Sequence, residues 1–128
     1  MTAVAVVLAA LAAALHVFIW TMESLTWRQP STWRRFGVES QEQADSNALM
    51  AFNQGFYNLF LAVVTAVGIL LIALGPDEAG WALLLAGCGS MLGAALVLRS
   101  AGPAYTRAAV TQGTLPLLAV VAAVVALV

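Results

Sequence analysis

The chain has 128 residues, of which 62% are hydrophobic and 9% charged, against roughly 25% charged in an average soluble domain. So few charges cannot cover the surface of a water-soluble protein, which excludes a soluble globular enzyme and a disordered chain. Five arginines, no lysine and a net charge of −1 provide no basic face, so nucleic acid is not an expected partner.

The charges are clustered. Thr2–Met22, Ser46–Pro76, Ala79–Leu98 and Ala108–Val128 carry none, and each stretch reaches the ~20 residues a helix needs to cross the hydrocarbon layer. Backbone groups in lipid must be paired internally, so helices are expected, and the in/out alternation of a barrel strand is absent. The expected fold is all-α: a polytopic membrane protein built as one four-transmembrane-helix bundle over 1–128. Its helices are expected at about 2–24, 42–74, 79–99 and 105–127.

The first segment is expected to be a retained helix, because no Lys or Arg precedes Arg28 to form the positive region of a signal peptide. His16 and Trp20 lie near its end. Trp20 and Trp81 both occupy helix-end positions, as interfacial aromatics do. The loop that follows, Glu23–Asp45, interleaves aromatics with arginines: Trp27-Arg28-Gln29-Pro30, then Trp33-Arg34-Arg35-Phe36-Gly37. That pattern suits a segment lying on headgroups, or else a lid over a cytoplasm-facing site. Ser40 and Gln43 have the spacing of a capping box, so the second helix starts in water and enters the membrane near Ala48.

The second and third helices are joined by a tight Gly-Pro-Asp turn within Gly75–Gly80. The third helix holds Gly89 and Gly93 as a G-x-x-x-G pair, with Ala86, Ser90 and Ala94 as a second small ridge. Such ridges let helices approach closely and offer a surface for a homo-oligomer. Cys88 is alone, so it is read as a small apolar residue. Ser100-Ala101-Gly102-Pro103 breaks the chain before the fourth helix.

Orientation follows from the arginines. Arg28, Arg34 and Arg35 lie in loop 1 and Arg99 and Arg107 in loop 3, whereas loop 2 has only Asp77 and Glu78. Positive loops stay cytoplasmic. Loops 1 and 3 are therefore expected inside and both termini outside.

Polar groups inside hydrocarbon cost free energy unless partnered. Here they gather in one leaflet. At 1.5 Å per residue, His16 lies roughly 9 Å below the cytoplasmic surface, Asn53 and Gln54 roughly 8–9 Å, Asn58 roughly 15 Å and Gln112 roughly 6 Å. His16, Trp20 and Glu23 share a face of helix 1, and Gln54, Tyr57 and Asn58 share a face of helix 2, with Asn53 beside them. Pro116 frees the carbonyl of Gln112.

This pattern predicts a polar pocket open to the cytoplasm, binding or acting on a small amphipathic or lipid-like molecule. His16 is the candidate general acid/base, oriented by Glu23 or Tyr57. Trp20, Asn53, Gln54, Asn58, Arg99 and Gln112 would bind the ligand. The bland alternative is that the amides are interhelical glue at roughly 0.6 kcal/mol each and that Arg99 snorkels to headgroups. One His and one Glu are too few for a metal site, and no triad, phosphate loop or dinucleotide fingerprint is present. A small-molecule transporter and an accessory subunit of a membrane complex are the other classes. Asn53-Gln54-Gly55 and Thr111-Gln112-Gly113 also echo each other, as in a parallel internal repeat.

On three marks the chain resembles the domain of unknown function 1304 family, small bacterial four-helix membrane proteins. They are His16 with Glu23, Asn53-Gln54-Gly55-x-Tyr57-Asn58, and Gln112-Gly113-x-x-Pro116. The resemblance implies an integral membrane protein and carries no activity, substrate or cofactor. At the level of fold the chain is also similar to the membrane-associated eicosanoid and glutathione enzymes, but Ala48–Phe52 lacks their Glu-Arg pair.

Overall fold

The computed structural model describes residues 1–75 and 78–128. Pro76 and Asp77, which carry the expected Gly-Pro-Asp turn, lie outside the described residues. Among the described residues six α-helices follow one another: α1 (Thr2–Trp20), α2 (Pro30–Trp33), α3 (Gln41–Ser46), α4 (Ala48–Leu74), α5 (Glu78–Ser100) and α6 (Thr106–Leu127). A π-helical turn, Thr21–Leu25, extends α1. There is no strand among the described residues.

Four segments are long and apolar enough to cross a membrane: Thr2–Leu25, Ala48–Leu74, Glu78–Ser100 and Pro103–Leu127. At 1.5 Å per residue each spans roughly 35–40 Å. They pack as a ring in which α1 touches α4 and α6, and α5 touches α4 and α6. On α4 and α5, Gly68 meets Gly80 and Leu84 while Thr65 meets Gly87, so these two helices run antiparallel. The end of α1 meets the start of α4 at Ser24 and Phe52, and the end of α5 meets the start of α6 at Ala95 and Gly113. Loop 1, with Arg28, Arg34 and Arg35, and loop 3, flanked by Arg99 at the end of α5 and Arg107 at the start of α6, therefore emerge at one end.

The residue sizes inside and outside are inverted relative to a soluble bundle. The centre is filled by Ala5, Ala9 and Ala12 from α1, Leu84, Cys88 and Met91 from α5, and Ala119, Ala122 and Ala123 from α6. The outer surface carries Val7, Leu11, Phe60, Leu70, Leu96 and Val121. Small residues inside allow close backbone approach, which is how helices associate where solvent exclusion contributes little.

The expected G-x-x-x-G pair is not what packs α5. Gly89 and Gly93 have open space beside them, whereas a Cβ on Gly80 would reach Ile72 and one on Gly87 would run into Thr65. The buried stripe of α5 passes through Gly80, Leu84, Gly87, Cys88, Met91 and Ala95. Gly89 and Gly93 lie beside this stripe and the second small ridge is exposed.

Loop 1 has a small core of its own. Trp27 and Trp33 turn inward and form a second small core with Ala44 and Ala51, against Phe36, Val38 and Ala48. Their indoles are satisfied there: Trp27 Nε1 donates to the Ala44 carbonyl at 2.8 Å and Trp33 Nε1 to Gln41 Oε1 at 3.2 Å. Pro30 at the first position of α2 and Gly37, in the left-handed region at φ 77°, open and close the short helical turns between them. Ser40 caps α3 as expected, accepting from Gln43 N at 3.2 Å. The return bond is shifted by one residue, because Gln43 Oε1 accepts from Glu39 N. Asn47 separates α3 from α4, so the expected second helix is interrupted there and its long part begins at Ala48.

Candidate functional site

The buried stripe of α1 runs Ala5, Ala9, Ala12, Ala13, His16 and Ile19. In a regular helix the next member would be Glu23. The π turn inserts a bond of five-residue span, Thr26 N to the Thr21 carbonyl at 3.1 Å, and Glu23 is kept inside at 8% exposure. Such widened turns are commonly found at functional sites.

The facing stripe of α4 is Ala51, Gly55, Ala62, Thr65 and Gly68, with half-buried Asn58 in the same line. Gly55 is the point of closest approach. A Cβ there would collide with Ser24 Oγ and lie 3.0 Å from Glu23 Cβ. Ser24 Oγ donates to the Phe52 carbonyl at 2.9 Å. One turn further along α4, Asn58 Nδ2 donates to Glu23 Oε2 at 2.8 Å and to the Gln54 carbonyl at 3.1 Å. Trp20 packs edge-on against Phe56, with ring centroids 6.0 Å apart. Its Nε1 is buried and meets no acceptor, which at roughly 1–3 kcal/mol is a real cost.

Two open clefts flank Glu23. One, of ≈ 500 Å³, lies between the π turn and the start of α4, with Ser24, Trp27, Arg28, Leu49 and Phe52 on its walls. The other, of ≈ 330 Å³, lies under loop 1 against Trp27, Phe36, Met50 and Gln54. Glu23 and Trp27 border both. No arginine is paired with Glu23 among the described residues; the ion pair present joins Arg28 to Asp45 at 3.5 Å on the surface.

The family model described as "Protein of unknown function (DUF1304)" matches residues 10–124. The chain belongs to this family. The match takes in His16, the π turn, Asn58 and both clefts. No curated protein and no solved structure matches the chain.

The residues expected to form one site in this family member are divided by the fold. Glu23, Asn58 and Trp20 are drawn together around the α1–α4 contact. Gln54 contributes its carbonyl to Asn58 and borders the smaller cleft, though it is exposed. Asn53, Tyr57 and Arg99 are exposed, and Gln112 is half-buried on α6; none of these four lines a cleft. His16 is 1% exposed, and its Nδ1 is bonded to the Ala12 carbonyl of its own helix at 2.9 Å. It borders neither cleft. The reason lies in register. The inward line of α4 is 51–55–58–62–65, so Gln54 and Tyr57 flank it instead of sharing it with Asn58. The small residues Ala51, Gly55, Ala62 and Gly68 carried that signal in the sequence. Ser24 and Trp27 were not among the expected site residues; Ser24 is set apart only by the fold, which places it opposite Gly55.

No group of three or more His, Cys, Asp or Glu side chains that could hold a metal ion occurs among the described residues.

Proposed function

We propose that this is a multi-pass protein of the bacterial inner membrane that binds a small amphipathic or lipid-like molecule at its arginine-rich end. Loops 1 and 3 face the cytoplasm, both termini face outward, and residues 1–128 act as one domain. The four apolar segments, the large apolar side chains on the outside and the arginines gathered at one end support this placement.

One observation carries the binding reading: Glu23 is a buried carboxyl whose side chain has a single partner among the described residues, Asn58, and it borders two clefts at once. A buried acidic group without a cation is costly to maintain as packing alone. The apolar cleft walls at Leu49 and Phe52 and the polar floor at Glu23 match a molecule with one wet and one oily end. Binding is favoured over catalysis because His16, the only imidazole in the chain, does not border either cleft.

Native mass spectrometry of the gently purified protein tests this. The wild-type chain should carry a small amphiphile as an adduct, and Glu23→Leu should lose it while keeping its thermal transition. Bare protein in both samples, across several detergents, would reject the reading.

A further inference from the structure

The larger cleft holds opposite charges at different positions, which defines what it would take. Glu23 forms its floor, with Oε2 accepting from Asn58 and Oε1 accepting from no group among the described residues. Arg28 stands on its wall with its side chain 74% exposed, and one guanidinium nitrogen faces Asp45. A guanidinium has five N–H donors, so most of them are unused. Leu25, Leu49 and Phe52 form a lip that is 61%, 76% and 46% exposed. The cleft also lies where the apolar segments Thr2–Leu25 and Ala48–Leu74 end, at the level where lipid headgroups would sit.

The geometry points to a zwitterionic phospholipid with a primary ammonium group, the phosphoethanolamine headgroup, as the occupant of this cleft. The ammonium N–H groups meet Glu23 Oε1, the phosphodiester meets Arg28, and the acyl chains leave over Leu25, Leu49 and Phe52. This rests on the proposed binding role and specifies its ligand. Two features favour this headgroup over its neighbours. The open carboxylate oxygen is a hydrogen-bond acceptor, which a primary ammonium satisfies and a trimethylammonium does not. A purely anionic headgroup would satisfy Arg28 and leave Glu23 facing a like charge.

The experiment is native mass spectrometry of the full chain in detergent, titrated with dioleoyl lipids that differ only in headgroup. These are phosphatidylethanolamine, its mono-, di- and trimethylated forms, and phosphatidylglycerol. Retention should hold through the mono- and dimethylated forms, which keep an N–H donor, and fall by roughly tenfold at the trimethylated one, the worth of one charge-assisted hydrogen bond. Glu23→Gln, which still offers Asn58 an oxygen, should level the series. Arg28→Gln should weaken all the phospholipids alike and leave the series sloped. The methylation series on the wild-type chain needs no variant, so a misfolded Glu23→Gln leaves the test intact. Equal retention of the parent and trimethylated lipids, or preference for phosphatidylglycerol, overturns the headgroup assignment. If a different amphiphile is retained and lost in Glu23→Gln, the assignment falls while the binding role stands. If nothing is retained by the wild-type chain, both fall.

Discussion

Asn58 and Glu23 are 35 positions apart in sequence and joined by a 2.8 Å hydrogen bond from Nδ2 to Oε2. The bond crosses from α4 to the π turn after α1, close to the floor of the larger cleft. It is the only bond that a side chain of α4 makes to a side chain of α1 or its π turn among the described residues. Removing the donor strands a buried acceptor, and the penalty for that exceeds the net worth of the bond itself. Asn58→Leu should therefore destabilise the protein by about 1–3 kcal/mol. Glu23→Leu together with Asn58→Leu removes both polar groups and should recover most of that loss. Reversible unfolding in mixed micelles measures both variants. A double variant no more stable than Asn58→Leu would show that the amide does not act through the carboxyl.

Gly55 sets how closely α4 can approach α1. With Ser24 Oγ in the path of any Cβ and Glu23 Cβ 3.0 Å away, Gly55→Ala should cost about 1–3 kcal/mol by overpacking. Ser24→Gly should return part of it, because Ser24 N also lies within 3.1 Å of the added methyl. Gly89→Ala is the control. It has open space, and should be neutral or gain up to about 1 kcal/mol in helix propensity. Melting temperatures of the three variants in one detergent decide the matter. Equal losses at Gly55 and Gly89 would mean that Gly89 packs against a second copy of the chain.

These two contacts show where sequence reasoning reached and where it stopped. The long apolar segments were legible because charge is excluded from them over the length of a bilayer. The inward position of His16 was legible too, since it continues the row Ala5, Ala9 and Ala12. Gly55 was read only as part of a repeat and not as the contact point. Its position matters because Ser24 sits opposite, and that pairing depends on how far the π turn widens the helix. The turn itself left no local mark, as Thr21-Met22-Glu23-Ser24-Leu25 suits an α-helix equally well. The inward tryptophans of loop 1 were also hidden. Trp27 finds its acceptor on Ala44, a backbone carbonyl whose availability no side-chain pattern announces. Gly55 and Gly113 each pack against the preceding long helix.

Loop 1 should behave as a folded cap. Trp27 donates to Ala44 at 2.8 Å and stacks edge-on with Phe36, the ring centroids 5.3 Å apart. Trp27→Phe keeps much of the apolar area and removes the indole donor, which should loosen the cap by about 1 kcal/mol. Arg28, Arg34 and Arg35 are exposed and offer trypsin three sites whose cleavage needs local opening. At 25 °C the variant should be cut roughly five times faster than wild type, the factor that ~1 kcal/mol corresponds to. Unchanged cleavage would mean that the indole bond does not hold the loop.

The arginine-rich end should face the cytoplasm. Arg28, Arg34 and Arg35 in loop 1, Arg99 in the last turn of α5 and Arg107 in the first turn of α6 all lie at the same end of the bundle, and the loops there are short enough for charge to govern insertion. Single cysteines placed in a Cys88→Ala background report the side directly. Cys88 is buried, so its replacement by a residue of similar size should disturb the core little. Ser31→Cys on α2 and Ala101→Cys in loop 3 occupy exposed positions. In intact cells both should resist a membrane-impermeant maleimide and react once the membrane is opened. Replacing Arg28, Arg34 and Arg35 by glutamine weakens the larger of the two positive clusters, and should yield a fraction of molecules labelled from outside. Labelling of the parent Ser31→Cys protein in intact cells would reverse the orientation, and with it the leaflet from which a lipid headgroup could reach Glu23.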